Sequence, residues 1–183
     1  MTQPLNNKKV AILVADGFEQ VELLEPRKAL AEAGAETDVV SPSEGSVKGW
    51  NHTDWGQGVP VDKALDKADA ADYDALVLPG GVMNPDQLRR NPKALAFVKA
   101  FFAQHKPVGA ICHGGWTMID AGVVDGRRMT SYWSIQSDLK NAGAHWVDEE
   151  VVVDDGLVTS RNPDDLPAFN RKLVETFAMG GHA

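Results

Sequence analysis

Apolar residues fall along this chain in two rhythms: short unbroken runs, and longer stretches where they recur every three or four positions. Residues 9–15 (KVAILVA) are a run of the first kind, the pattern of a strand covered on both faces. The stretch DGFEQVELLEPRKALAEAGAE then carries Leu, Ala and Glu at helical spacing and stops at Gly34, a natural C-cap. Pro26 inside it predicts a kink or a restart. Residues 37–41 (TDVVS) read as a second strand, so the chain opens with a βαβ unit, a parallel pair and a right-handed crossover.

Residues 43–62 break the rhythm. Gly45, Gly49, Gly56 and Gly58 punctuate the segment and Trp50, His52 and Trp55 stud it, which predicts loops and short hairpin strands. Residues 75–78 (ALVL) form another buried strand, ending in Pro79, Gly80 and Gly81. Two helices follow, a short one opened by Asn84–Pro85 and a longer one over 92–104. Each has an asparagine cap followed by proline.

Residues 107–111 are again a short buried strand. Cys112, His113, Gly114 and Gly115 come next, then an apolar stretch of helical spacing up to Gly122. A short segment near Met129 and Thr130 precedes a helix over 134–142 that closes at Gly143. Residues 150–154 and 157–160 pair as a hairpin around Asp155–Gly156, and 164–179 is the final helix. Strands alternating with helices predict an α/β fold with a doubly wound, mostly parallel sheet sandwiched by helices, flavodoxin-like in form. Ligands bind such sheets beyond the carboxyl ends of the strands, where Gly17–Glu19, Gly80–Gly81 and Cys112 fall.

Composition adds bounds. At 183 residues the chain suits one domain spanning 1–183, with an ordered core of about 8–179. The net charge of −8 disfavours nucleic acid as a primary ligand. Small pairs such as Arg89–Arg90 and Arg127–Arg128 do not offset it. No apolar run is long enough to span a membrane, and MTQPLNNKK lacks the apolar core of a signal peptide. One cysteine forms no internal disulfide. A cytoplasmic location is expected.

That cysteine, Cys112, sits at the corner where a strand turns into a helix. In that setting a nucleophile is held above the end of a sheet, and the helix terminus favours thiolate over thiol. The alternative is a small buried hydrophobe. Glu19, in the loop after the first strand, can reach Cys112 from the same sheet edge. The two would then share one proton, and a protonated Glu19 would hydrogen-bond the sulfur; the alternative is a glutamate that complements a helix dipole. His113 is a candidate general base needing a third group to orient it, or a histidine that only bonds a loop. The amides of Gly80 and Gly81, with the one after Cys112, are candidate oxyanion donors, or part of a tight turn. The five histidines are scattered, so neither a metal site nor a cofactor is expected.

The runs KVAILVADGFEQVEL, DALVLPGG, KPVGAICHGGW and TSYWSIQSDLKNAGAHWVDEEVVVDDGLVTSRNPDDLPAF, in this order, resemble the PfpI-type family of intracellular cysteine peptidases and deglycases. That family belongs to the superfamily of the parkinsonism-associated deglycase and the class I glutamine amidotransferases. The resemblance runs from Lys9 to about Phe177 and rests on AICHG, the upstream E-x-x-E and LPGG. It implies that Cys112 is the nucleophile, Glu19 the buried acid touching the sulfur, and His113 the catalytic histidine. It also implies that an acidic residue after LPGG reaches across a subunit boundary to orient the histidine. The matching position is Asp86, which departs from the family's usual Glu in a loop one residue longer. His52 and Tyr132 match pocket positions, and Trp133 and Trp116 replace smaller residues, so indoles at the mouth would favour small substrates.

The function expected is a stress-response, cysteine-dependent hydrolase or lyase acting on small carbonyl or glycation adducts, deglycase- or glyoxalase-like. The alternatives are a peptidase using Cys112, His113 and Asp86, and a redox-sensing stress protein in which Cys112 is oxidised. A homodimer or higher homo-oligomer is expected from the resemblance.

Overall fold

The structure, a computed structural model, describes residues 3–180. The first two residues of MTQPLNNKK and the last three of the expected 1–183 domain lie outside the described residues. The first half contains β1 (Lys9–Leu13), β2 (Phe18–Glu19), α1 (Gln20–Glu32), β3 (Glu36–Ser41), β4 (Ser46–Asn51), β5 (Asp54–Pro60), β6 (Lys63–Ala64) and β7 (Ala75–Leu78). After it come α2 (Met83–Leu88), α3 (Pro92–Ala103), β8 (Val108–Ile111), α4 (Gly115–Asp120), β9 (Arg128–Met129), α5 (Gln136–Asn141) and β10 (His145–Trp146). The chain finishes with β11 (Val151–Asp154), β12 (Leu157–Ser160) and α6 (Leu166–Met179).

The main sheet has seven strands in the order β11-β12-β8-β7-β1-β3-β6. All neighbours are parallel except β11 and β12, the hairpin at Asp155–Gly156. The fold is therefore α/β with a mostly parallel sheet between helices. Residues along β1 alternate between its two faces. Ala11 and Leu13 pack with Leu76, Phe97, Phe101 and Met118, whereas Val10 and Ile12 pack with Leu23, Leu30, Phe169 and Leu173. Two faces, each with its own core, explain why the strands read as unbroken apolar runs.

Three local expectations change. Helix α1 continues through Pro26 as one element: the ring is buried and costs one backbone hydrogen bond without a restart. The helix also begins later than DGFEQ suggested, because Phe18 and Glu19 pair with Gly49 and Trp50 of the β4–β5 hairpin. Asn84 does not cap α2. Asn91 does cap α3, its Oδ1 accepting from the N–H groups of Lys93 and Ala94 with Pro92 in the first turn.

Candidate active site

β8 leaves Ile111 in extended backbone, and the chain then turns at Cys112 with φ +62°. Holding a non-glycine residue in the left-handed region costs energy that the surrounding packing must supply. Part of that packing is close backbone approach: a Cβ on Gly114 would meet the carbonyl oxygen of Leu78 at 2.5 Å. The turn feeds into α4, and Tyr132 N–H donates to the Cys112 carbonyl at 3.0 Å.

The acid at the sulfur is Glu22, not Glu19. Glu22 is completely buried on α1, and its Oε1 accepts from Gly80 N–H at 2.9 Å. Its Oε2 is buried without a hydrogen-bond partner, and the carboxyl group interacts with the Cys112 side chain. Burial pushes the Glu22 carboxyl up to about 8, and the negative charge of Glu19 adds to that. The Gly80 N–H opposes both. At neutral pH Glu22 therefore carries a proton, which suits an oxygen that has no donor to accept from.

Glu19 lies a helical turn away, at the start of α1, and faces the hairpin instead. Its Oε1 accepts from His52 N–H at 3.1 Å and lies 3.5 Å from His52 Nδ1. His52 sits at the β4–β5 turn with φ +57°, its carbonyl accepting from the Trp50 indole at 2.8 Å. The sequence did carry a signal for Glu22: it falls on the stripe of α1 shared with Leu23, Pro26 and Leu30, the buried positions of the helix.

The backbone N–H groups at the helix terminus favour the thiolate as expected, but burial outweighs them. Burial pushes Cys112 well up, and a charged Glu22 would push it further. The backbone N–H groups of Gly81 and His113 pull the other way. Cys112 and Glu22 thus form one coupled pair, and a thiolate forms when Glu22 keeps the proton.

His113 is buried, with Nδ1 3.1 Å from Cys112 Sγ. Burial lowers its pKa and keeps the imidazole neutral, as a base requires. Tyr132 stacks on the ring at 4.8 Å, and Trp116 meets it edge-on at 5.1 Å. Among the described residues no carboxylate hydrogen-bonds His113. Asp86 is exposed on α2 and does not line the cavity of this chain.

The Gly80 amide is bound to Glu22, so it is not a free oxyanion donor; the amides of Gly81 and His113 face the sulfur. Gly80 is needed for space. A Cβ there would come within 2.7 Å of both Cys112 Cβ and Glu22 Oε1. Asn84, which sequence reasoning missed, fixes this turn. Its Oδ1 accepts from Ala15 N–H at 2.7 Å, and its Nδ2 donates to the carbonyls of Pro79 and Gly80, both at 3.0 Å.

Together these elements enclose a cavity of about 940 Å³. Glu19, Glu22, Gly81, Cys112, His113, Tyr132, Trp133, Trp50 and His52 line it, with Val82, Met83 and the 162–164 segment. Trp133 stands at the mouth, 66% exposed. Trp116 does not line the cavity; it packs behind His113, so only one of the two indoles narrows the opening. Among the described residues no group of three or more His, Cys, Asp or Glu side chains is placed to hold a metal ion.

An α/β sheet with a cysteine on a strained strand-to-helix elbow, flanked by a buried acid and a neutral imidazole, defines the class of this site. The chain belongs to the DJ-1/PfpI family, whose sequence model matches residues 8–176. It is 49% identical over 169 residues to General stress protein 18 of Bacillus subtilis, covering 91% of this chain and 96% of the relative. It is 48% identical over 167 residues to Deglycase TK1284 of Thermococcus kodakarensis, covering 91% and 98%. The crystal structure of Drosophila melanogaster DJ-1beta superposes with a TM-score of 0.85 at 27% identity, covering 97% of this chain and 91% of that one.

Proposed function

We propose that this protein is a stress-related, cysteine-dependent deglycase or glyoxalase-like enzyme acting on small carbonyl compounds and glycation adducts, with Cys112 as nucleophile. The observation that carries this reading is the carboxyl group of Glu22, fully buried beside the sulfur with Oε2 unpartnered, where burial favours its protonated form. A protonated carboxyl stabilises thiolate by hydrogen bonding, and the thiolate is the attacking species. The sulfur adds to a carbonyl carbon, the C=O electron pair moves to oxygen, and the amides of Gly81 and His113 stabilise the oxyanion. Neutral His113 then moves protons. For a free 1,2-dicarbonyl, hydrogen moves from the sulfur-bearing carbon to its neighbour, giving a thioester. Hydrolysis releases a 2-hydroxy acid and the thiol, with net addition of one water.

The lining supports small neutral substrates: Glu19, Glu22 and Asp164 face the cavity and, among the described residues, no lysine or arginine does, so a phosphate group finds no lysine or arginine partner there. The relatives named for deglycase activity and general stress support the substrate class and its setting. Peptide cleavage receives less support, because Asp86 departs from the family's usual Glu and the Trp133 indole stands at the mouth of the cavity. As part of the same reading the protein works in the cytoplasm as a homodimer or larger assembly, to be tested by cell fractionation and sedimentation. Among the described residues no helix is long and apolar enough to cross a membrane.

The deciding experiment is turnover of methylglyoxal and of a glycated N-acetylarginine by purified protein. Activity lost in Cys112→Ala is the expected result; an inactive wild-type protein overturns the reading.

A further inference from the structure

His113 has no carboxylate to orient it among the described residues, yet its ring is held. Tyr132 covers one face, stacked within 28° of parallel. Trp116, in the first turn of α4, meets the imidazole at 73°. The indole is itself fixed on two sides: its Nε1 donates to Asp138 on α5 at 2.9 Å, and the Arg89 guanidinium lies 5.1 Å over its ring. Arg89, at the end of α2, is anchored in turn by Asp120 at 2.8 Å. A stack and an edge contact restrict two different rotations of an imidazole, leaving Nδ1 aimed at the sulfur.

We propose that Trp116 is a positioning residue for His113, and that the line Asp138–Trp116–His113 does within one chain what an orienting carboxylate does elsewhere. Trp116 touches neither the sulfur nor the cavity. It acts by keeping the imidazole at 3.1 Å from Sγ and away from water. The segment from Tyr132 to Asp138 then serves His113 twice: it supplies the stacking ring directly and the edge contact through the indole. Charged groups reach this corner from α1 (Glu22), the end of α2 (Arg89) and α5 (Asp138), and Glu19 and Asp164 face it across the cavity.

The inference rests on the Cys112–His113 chemistry proposed above, so the test uses two readouts: methylglyoxal turnover, and the pH dependence of Cys112 alkylation by iodoacetamide. Trp116→Leu should lower kcat about ten-fold with little change in KM, since positioning is lost and binding is not. The acid limb of its alkylation should move to lower pH, because an imidazole opened to water regains its ordinary basicity and, once protonated, favours the thiolate beside it. Trp116→Phe, which restores an aromatic edge, should recover most of the loss, and exposed Asp138→Ala should fall between. Wild-type kcat and an unmoved acid limb in Trp116→Leu overturn the proposal. If that variant does not fold, an unmoved limb and kcat in Asp138→Ala overturn it. Wild-type protein that turns over no methylglyoxal refutes the proposed function instead, and the alkylation profiles still decide the role of Trp116.

Discussion

Glu19 and Glu22 are three residues apart in one E-x-x-E segment, yet they have different chemistry. Glu22 is sealed between α1 and the Gly80 turn, with one oxygen satisfied by an amide and the other unpartnered. Glu19 stands at the cavity wall against the exposed His52 of a hairpin. One helical turn converts a carboxylate into an acid, because removing water penalises the charged form more than one N–H donor stabilises it. The charge of Glu19 reinforces the difference by pushing both Glu22 and Cys112 upward.

The largest test of that contrast is a pair of isosteric substitutions. Glu22→Gln keeps an acceptor for Gly80 N–H and an N–H donor for the sulfur but has no proton to exchange with the thiol, so kcat/KM should fall by about a hundred-fold or more. Glu19→Gln should change it by less than about five-fold, the size of a modest electrostatic effect on a neighbour. Equal losses in steady-state assays would remove the distinction between the two glutamates.

A second test uses stability. The folded chain holds the Glu22 proton up to about pH 8, whereas an exposed glutamate releases it near 4.5. The folded state therefore binds more protons between those values, and the contribution present below 4.5 is lost as pH rises through 8. Urea midpoints should fall between pH 5 and pH 9 by on the order of a few kcal/mol in stability. Glu22→Gln should flatten that slope, whereas Glu19→Gln should reduce it only slightly.

Steric sealing gives a third, smaller effect. Gly80→Ala places a methyl group against Cys112 and Glu22 and should cost about 1–3 kcal/mol, read as a lowered denaturation midpoint with loss of Cys112 alkylation. Smallest of all, His52→Ala removes only an exposed partner of Glu19. It should leave the midpoint within about 0.5 kcal/mol of wild type, and a larger drop would show that the hairpin supports the buried acid.

Much of this was legible along the chain wherever the deciding forces were local. Asn91–Pro92 opened a helix as its capping chemistry dictates, and Asp155–Gly156 closed a hairpin. The Cys112 corner fell between a buried strand and a helix. The apolar stripe of α1 also contained Glu22, but its meaning depended on Gly80, which is 58 residues away. Asn84 looked like a cap because it precedes proline. Its amide instead joins the loop after β1 to the Pro79–Gly80 turn, partners that only the parallel pairing of β1 with β7 brings near.

Sequence by itself thus determined the order of elements, the sheet edge where the chemistry sits and the lone sulfur at its centre, since periodicity, caps and turns are set by neighbouring residues. The tertiary structure alone decided which glutamate keeps a proton, which amide is free and which indole steadies His113. Those outcomes depend on desolvation and contact between segments far apart in the chain, and burial is a property of the packed molecule.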